Sequence, residues 1–293
     1  MAHSTTNSSQ SPRVVLVTGA SRGAGKGIAR ALGACGDIVY VTGRTTTANQ
    51  APLPGTIFET ADIINNAGGT GIAVVCDHQD DQQVEALFKK IELEQGRLDI
   101  LVNNAALVHD DLIKPGGFWE KSMDLVGILD VGLRSAYVAS YHAAKIMSQQ
   151  TQGLFINTGS FGAQCYMHGP AYGAQKAGLD KMTWDMAHDL RPYKVATVSL
   201  WMGMLDTERS QKVMAEEPEK YAHFADICET PDFTGRLIDA LYRDPLLMKR
   251  SGRTYIGAEL SIELGVSDLN GRRPLSHREM LGSPLKFNTA VVE

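Results

Sequence analysis

Short runs of apolar residues recur along the chain, and segments with the spacing of amphipathic helices separate most of them. Runs rich in β-branched and aromatic residues are typical of buried strands, whereas apolar residues three and four positions apart are typical of helices. Regular alternation of the two predicts β-α-β units and a mainly parallel sheet. The predicted strands are Val14–Thr18, Ile38–Thr42, Ile72–Cys76, Leu98–Val102, Leu154–Thr158, Val195–Leu200 and Thr254–Ala258.

Three longer segments have helical spacing: Asp81–Gln95, Trp119–Gln149 and Ala171–Leu190. Because crossovers between parallel strands are right-handed, such helices come to lie on both faces of the sheet. We therefore predict one α/β domain of the Rossmann type over residues 13–267, with a doubly wound, mainly parallel, seven-stranded sheet. No internal repeat or linker divides this region.

The two ends of the chain and two loops interrupt the alternation. Residues 1–12 are small and polar and are interpreted as a disordered tail, and residues 268–293, which show little periodicity, as a C-terminal tail. Thr45–Gly55 contains prolines and small polar residues and is predicted to be a loop. Met204–Tyr221 is polar and follows the sixth predicted strand, where we expect a mobile lid over a cofactor.

The composition is that of an ordinary globular protein and argues against several function classes. The chain has 293 residues, of which 43% are apolar and 21% charged, and its formal net charge is −5. Without a basic run, nucleic-acid binding is not expected, and no stretch is apolar enough for a membrane span. The irregularly spaced cysteines match no metal-ligand pattern, which predicts no metal site and favours a reducing, cytoplasmic location.

A glycine-rich segment directly follows the first predicted strand. Gly19 allows a tight turn, Gly23 lets the backbone approach a pyrophosphate, and Gly25 lets a helix pack on the strand. Ser21 and Arg22 lie between them, where backbone N–H groups at a helix N-terminus can bind phosphates. The alternative is a glycine-rich turn without a ligand, which the position at the first strand–helix junction disfavours.

Arg44 decides which dinucleotide is expected. At the end of the second predicted strand an acidic residue would bind the adenosine ribose hydroxyls, but Gly43 and Arg44 are found there. An arginine near this position accommodates a 2′-phosphate, and Arg22 can approach the same group. We therefore expect NADP, with NAD as the less favoured cofactor. The alternative is that Arg44 is only a solvated charge.

Polar residues also close the third and fourth predicted strands. Asp77 can accept a hydrogen bond from an adenine amino group, whereas Asp80 and Asp81 suit the start of a helix. Asn104 closes the fourth strand, under the expected cofactor. A similar amide pair at Asn65–Gly68 follows a helical segment and is interpreted as a helix C-terminus rather than a binding site.

Ser160, Tyr172 and Lys176 are the candidate catalytic residues. Tyr172 and Lys176 are four residues apart on one face of a predicted helix, so a proton donor and a cation lie together. Ser160 follows the fifth predicted strand. Each residue alone is more often structural, but all three in a chain with a nucleotide-binding turn predict hydride transfer between a nicotinamide and a carbonyl.

These motifs resemble those of the short-chain dehydrogenase/reductase family, and the resemblance extends from Val14 to about Asp268. It implies that Tyr172 exchanges a proton with the substrate oxygen as general acid and base. It also implies that Lys176 lowers the pKa of that tyrosine, holds the cofactor ribose and makes proton transfer near neutral pH easier.

Further roles and two departures belong to the same resemblance. Ser160 is implied to hydrogen-bond the developing oxyanion, Thr207 to hold the nicotinamide carboxamide, and the protein to form a homodimer or homotetramer. Many members have an asparagine on the long helix that completes a proton relay through water, where this chain has Gly132. Met202 replaces the usual proline before Gly203, which is expected to loosen the turn leading to the lid.

The expected substrate is a small carbonyl compound or secondary alcohol with an apolar body. Large apolar side chains flank the expected cleft, although packing in the core suits several of them equally well. The competing interpretation is a non-catalytic NADP-binding protein that senses the cofactor or scaffolds a partner, which the intact catalytic candidates disfavour. The apolar residues are Phe161, Tyr166, Met167, Trp201, Met202 and Met204.

Overall fold

A seven-stranded parallel sheet forms the centre of the fold. The computed structural model describes residues 11–221 and 226–292, and within them the strand order is β3-β2-β1-β4-β5-β6-β7. Every neighbouring pair is parallel, which confirms the predicted doubly wound sheet. The strands are β1 (Val14–Val17), β2 (Ile38–Gly43), β3 (Thr70–Val75), β4 (Ile100–Asn103), β5 (Gly153–Gly159), β6 (Val195–Trp201) and β7 (Arg253–Ile256).

Helices connect the strands and cover the sheet on both faces, because each parallel crossover returns the chain to the same sheet edge. Within the described ranges they are α1 (Gly23–Gly33), α2 (Ile57–Asn66), α3 (Asp81–Gln95), α4 (Gly127–Leu129), α5 (Ser135–Gln150), α6 (Pro170–Leu190), α7 (Glu208–Glu216), α8 (Pro218–Tyr221), α9 (Pro231–Arg243), α10 (Leu247–Arg250), α11 (Gly257–Leu264) and α12 (Arg278–Leu281).

Alternate residues of β1 belong to two separate apolar layers. Val15 and Val17 pack in the layer that contains α1, α2, α9 and α11. Val14 and Leu16 pack on the opposite face with α3 and α5. Because successive side chains of a strand point to opposite faces, a strand buried on both sides needs apolar residues at every position. This explains the unbroken apolar runs in the sequence.

The prediction of one helix over Trp119–Gln149 is wrong in its first half. Short 3-10 turns occupy Phe118–Glu120 and Met123–Val126, and the regular helix α5 begins only at Ser135. Between the second of these turns and α5, Gly132 has φ +144°, a backbone conformation that residues with a side chain rarely adopt. Apolar spacing that continues across a backbone break looks like one helix in the sequence, so the pattern did not reveal it.

The other boundaries agree more closely with the predictions. Asp80 caps α3, where its carboxylate accepts hydrogen bonds from backbone N–H groups, and α2 ends at Asn66, which confirms Asn65–Gly68 as a helix end. Thr45–Gly55 is a loop, as predicted. β7 stops at Ile256, before the predicted Ala258, because α11 begins there.

The predicted lid contains α7 and α8, in which no residue is buried, and its mobility remains a prediction. The segment interpreted as a C-terminal tail lies on the rest of the domain. Leu281 packs against the cluster of Phe161 and Trp201, and the rings of Phe287 and Trp184 are 6.0 Å apart. Most of the predicted N-terminal tail, residues 1–10, lies outside the described residues. In the described ranges, no helix combines the length and apolarity needed to span a membrane.

Candidate active site

β1 runs directly into a glycine turn that has no room for a side chain at Gly19 or Gly25. Gly19 and Gly23 have φ values of +67° and +57°, in the region that favours glycine. A Cβ atom at Gly25 would lie 2.4 Å from the Gly19 carbonyl oxygen, and one at Gly19 would lie 2.7 Å from the Cα of Ala105. The turn is therefore packed tightly against the end of β4.

Asn104 fixes this turn to the end of β4. Its Nδ2 donates to the carbonyl oxygens of Thr18 and Gly19, at 2.9 and 3.1 Å. The N–H groups of Asn104 and Ala105 donate to the Thr18 hydroxyl, at 2.9 Å each. Asn104 thus has a positioning role under the predicted cofactor site, and its direct contact with a cofactor remains a prediction.

An anionic group lies at the N-terminus of α1. The N–H of Gly23 donates to Oε2 of Glu208 at 2.9 Å, and Nζ of Lys26 is 4.0 Å from Oε1 of the same carboxylate. Unpaired N–H groups and the helix dipole at such a terminus favour negative charge. The Glu208 carboxylate occupies the kind of position that a phosphate would take, so the glycine turn fits the pyrophosphate of a dinucleotide.

Arg22 is bound to the loop that follows β2. Its Nε donates to the Pro54 carbonyl at 3.1 Å, and its Nη2 donates to the Gly55 carbonyl and the Thr45 hydroxyl at 2.9 and 3.1 Å. Ser21 is buried under the same loop, where a Cβ on Gly55 would lie 2.4 Å from the Ser21 carbonyl oxygen. In this conformation two of the three guanidinium nitrogens of Arg22 donate to the loop, and a contact of Arg22 with a 2′-phosphate remains a prediction.

Arg44 and Asp77 lie together at the ends of β2 and β3. Nη1 of Arg44 is 3.6 Å from Oδ2 of Asp77, and the arginine side chain is 62% exposed. An ion pair this exposed contributes little to stability, because solvent screens it and its side chains lose entropy. Both side chains lie at the sheet edge where an adenosine would bind. The sequence predicts that Arg44 contacts the 2′-phosphate and that Asp77 contacts the adenine, whereas here the two side chains contact each other.

Thr207 begins α7 and lies over the glycine turn. Its hydroxyl accepts from the N–H of Ser210 at 3.2 Å, as an N-cap does. Its methyl carbon would lie 3.8 Å from a Cβ on Gly23. The threonine is thus close to the predicted cofactor site, but the predicted contact with a carboxamide remains a prediction.

The hydroxyl oxygens of Ser160 and Tyr172 are 2.9 Å apart and share a hydrogen bond. Ser160 directly follows β5, and Tyr172 lies in the first turn of α6, which begins at Pro170. The N–H of Gly162 donates to the serine oxygen at 3.1 Å and holds it in place. The fold therefore brings together two groups that the sequence separates by a loop.

Lys176 is buried one helical turn beyond Tyr172. Its Nζ donates to the Thr158 carbonyl at 2.9 Å and lies 5.5 Å from the centre of the Tyr172 ring. Burial lowers the pKa of Lys176 to about 8, and the charge of Asp180 acts in the opposite direction. At neutral pH the site therefore contains a cation held inside the protein, beside the tyrosine.

Burial raises the pKa of Tyr172, and the hydrogen bond with Ser160 lowers it in part. Ser160 thus acts in the direction that the family resemblance implies for Lys176, and an effect of Lys176 on this pKa remains a prediction. The phenol is consequently protonated at neutral pH, which suits a proton donor.

Gly132 lies against the catalytic helix and close to a glutamine. A Cβ atom at Gly132 would lie 2.2 Å from Nε2 of Gln175, which is buried and directly precedes Lys176. The amide of Gln175 therefore fills the space in which a side chain at position 132 would begin. Gln175 thus lies beside position 132, where the family resemblance implies an asparagine, and the route of the proton remains a prediction.

A cleft of about 380 Å³ lies beside His168, whose ring packs edge-on against that of Tyr172 at 5.0 Å. Of the two interpretations left open for the large apolar residues, packing in the core applies to Phe161 and Trp201, which are 2% and 1% exposed. Their ring centres are 5.1 Å apart, and both residues pack in one cluster with Ile256 of β7 and Ala258 of α11. The cleft is lined by Leu112, Ile113, Lys121, Tyr166, His168 and Tyr221.

Sequence reasoning missed several polar residues of the site. Asp180 was detectable, because it lies four residues after Lys176 on one helical face. Glu208 and Gln175 gave no local signal, since their contacts with Gly23 and Gly132 join distant parts of the chain. Motif reasoning finds residues that share an element more easily than residues that meet through the fold.

The chain matches the family model for short chain dehydrogenase over residues 13–218. It is 36% identical over 271 residues to Dehydrogenase/reductase SDR family member 1 of Mus musculus, which covers 89% of this chain and 84% of that protein. It is also 31% identical over 245 residues to a 3-oxoacyl-(acyl-carrier-protein) reductase of Synechocystis sp., covering 83% of this chain and 94% of the relative.

Solved structures share the fold. A short chain dehydrogenase of Mycobacterium thermoresistibile superposes with a TM-score of 0.73 at 24% identity, covering 88% of this chain and 89% of that one. A metagenomic short-chain oxidoreductase in complex with NADP superposes with a TM-score of 0.62 at 25% identity, covering 79% and 91%. The first likeness concerns the fold alone.

Proposed function

This chain belongs to the short-chain dehydrogenase/reductase family, and we propose that it transfers hydride between NADP and a carbonyl or secondary alcohol, with Tyr172 as general acid and base. Membership makes it an NAD(P)-dependent oxidoreductase acting on alcohols or carbonyls. The observation that supports the finer proposal is the 2.9 Å contact between the hydroxyls of Ser160 and Tyr172, beside the buried Lys176. Two hydroxyls this close can converge on one substrate oxygen.

A nicotinamide bound beside Tyr172 would supply the hydride, or accept it in the reverse direction. As the carbonyl oxygen gains negative charge, Tyr172 donates its proton to that oxygen and Ser160 donates a hydrogen bond to it. The positive charge of Lys176 stabilises the phenolate that Tyr172 leaves behind. In alcohol oxidation the phenolate accepts the hydroxyl proton instead.

NADP is the proposed cofactor because β2 ends at Gly43 rather than at an acidic residue, and because Arg44 follows β2 and Arg22 precedes α1. In this proposal the N–H groups of the turn around Gly19, Gly23 and Gly25 bind the pyrophosphate, and Arg22 and Arg44 bind the 2′-phosphate. In the same proposal Asp77 accepts a hydrogen bond from the adenine amino group. The NADP complex of the metagenomic relative supports this choice, since the two folds are similar.

The proposed substrate is a small carbonyl compound with an apolar body. The support comes from Leu112, Ile113 and Tyr166, which line the cleft together with His168, whose ring contacts that of Tyr172. A cytoplasmic homodimer or homotetramer is the accompanying expectation from the family resemblance and the cysteine pattern.

The decisive experiment compares NADPH consumption by the wild type and by Tyr172→Phe, with a panel of ketones and aldehydes. The variant should lose about a thousandfold in kcat, since general acid–base catalysis contributes about 10²–10⁴-fold, and should still bind NADPH. Tyr193→Phe is the matched control, because Tyr193 is 47% exposed and lies outside the site. Equal rates in wild type and Tyr172→Phe contradict the proposed role. Binding of NADPH without consumption by either favours a cofactor sensor.

A further inference from the structure

Asp180 is a buried carboxylate that the proposed reaction does not use directly. It lies on α6, four residues after Lys176, and the two residues are 4% and 6% exposed. Residues with this separation lie one above the other on the same helical face. A buried carboxylate and a buried ammonium therefore share the side of α6 that faces the sheet strands.

The hydrogen bonds of Asp180 come from neutral groups on two strands. The Ser199 hydroxyl donates to Oδ1 at 2.6 Å, and Nε1 of Trp201 donates to Oδ2 at 3.0 Å. The side chain of Thr254 on β7 also hydrogen-bonds the carboxylate. Burial raises the pKa of Asp180 to about 6, while these donors and Lys176 lower it. The carboxylate is thus ionised at neutral pH.

Two groups of opposite charge in the interior depend on each other. The described hydrogen bond of Lys176 goes to the neutral carbonyl of Thr158. Two influences act on its ionisation: burial, which disfavours the charge, and Asp180, which favours it. A buried charge that loses its partner is strongly disfavoured, so removal of Asp180 should make Lys176 release its proton more easily.

We propose that Asp180 is a positioning residue, which keeps Lys176 charged and ties the catalytic helix to the strand ends behind the site. Trp201 pairs in register with Gly159, which directly precedes Ser160. The carboxylate is therefore linked to Ser160 through the strands and to Tyr172 and Lys176 through α6. Its consequence for catalysis rests on the proposed function. Its effect on the charge of Lys176 is a property of this chain without substrate or cofactor.

The test measures the pKa of Lys176 in the cofactor-free protein by NMR of lysine labelled at Cε, with Lys176→Arg to assign the resonance. In Asp180→Asn, which keeps the shape but removes the charge, this pKa should fall by about one pH unit or more. Asp185→Asn is the control, because Asp185 is an exposed carboxylate on the same helix, paired with Lys181. An unchanged pKa in folded Asp180→Asn overturns the inference.

The reciprocal measurement covers the case in which Asp180→Asn does not fold. Coupling between two sites is the same in both directions, so Lys176→Met should raise the pKa of the Asp180 carboxyl above its wild-type value. A carboxyl that titrates unchanged in Lys176→Met also overturns the inference.

Activity is the separate readout. If the proposed function is correct, the alkaline loss of kcat/KM for carbonyl reduction should move to lower pH by about one unit in Asp180→Asn and stay in place in Asp185→Asn. If the pKa of Lys176 shifts but the protein reduces no carbonyl, the inference about Asp180 is supported and the proposed function is refuted. A wild-type rate profile retained by Asp180→Asn refutes the inference instead.

Discussion

At the catalytic end of the site the reactive side chains are buried and already contact one another, whereas at the cofactor end the cationic side chains are exposed or bound to acceptors of the protein itself. Ser160 and Tyr172 share a hydrogen bond beside the buried Lys176. Arg44 instead pairs with Asp77 in solvent, and Arg22 donates to loop carbonyls.

Because of this difference, we expect substitutions at the two ends of the site to have different effects. Groups held in the interior are preorganised, and removing one leaves its partners unsatisfied. Groups that must exchange an internal acceptor for a ligand gain only the difference between the two contacts. We therefore expect large losses of rate at the catalytic end and smaller changes of affinity at the cofactor end.

The largest effect is expected for Lys176→Met. Without the cation, phenolate formation at Tyr172 is no longer stabilised, and kcat/KM for carbonyl reduction should fall about a thousandfold, as is typical of acid–base residues. Steady-state kinetics at neutral pH measure this. Lys181→Met removes an exposed lysine of the same helix and should leave the rate unchanged. A loss of kcat/KM in Lys176→Met that is no larger than the loss in the cofactor-end variants would contradict the expected difference between the two ends.

Arg44→Asp should act on binding rather than on chemistry. Hydrogen bonds to charged groups contribute about 1.5–3 kcal/mol, so the Kd for NADPH should rise about 10- to 100-fold, while that for NADH changes little. Fluorescence titration with both cofactors gives the two values. The exposed Arg273 provides the control Arg273→Asp. Equal weakening of NADPH and NADH is the result that contradicts a phosphate-binding role.

Gly25→Ala tests whether the glycine turn is closed as tightly as the distances indicate. The new methyl would lie 2.4 Å from the Gly19 carbonyl oxygen and 2.5 Å from Nδ2 of Asn104. Overpacking of this kind destabilises by about 1–3 kcal/mol, measurable by urea unfolding, and should also weaken NADPH binding. The added methyl of Gly36→Ala meets nothing within 4 Å, but Gly36 has φ +84° and the substitution strains its backbone, so this variant is the control for NADPH binding only. It should leave NADPH binding at the wild-type value, and a similar loss there would count against the turn.

The smallest effect is expected for Glu208→Gln. The change removes a negative charge from the N-terminus of α1, where the carboxylate would compete with a phosphate of the proposed cofactor for the Gly23 N–H. Charge at a helix terminus is worth about 0.3–1 kcal/mol, so NADPH should bind about two- to fivefold more tightly. Isothermal titration calorimetry resolves such a change. Glu216→Gln, on the same helix, is the control, and weaker binding in Glu208→Gln would show that the carboxylate assists the cofactor.

Local patterns predicted most of the fold and the central chemistry. The sheet followed from apolar runs, the tight turn from Gly19, Gly23 and Gly25, and the pairing of Tyr172 with Lys176 from a helical separation of four. Each of these features lies within one element or one junction, where neighbours in sequence are neighbours in space. The burial of Phe161 and Trp201 was left open, because apolar side chains suit a cleft and a core equally well.

The sequence by itself determined which elements form, which face of each is apolar, and that a proton donor and a cation share one helix face. Only the packing of the tertiary structure determines where α5 begins after Gly132, which carboxylate lies at the glycine turn, and which strand residues donate hydrogen bonds to Asp180. These features depend on contacts between segments far apart in the chain. Their distances are set by the packing of whole elements, which no local spacing records.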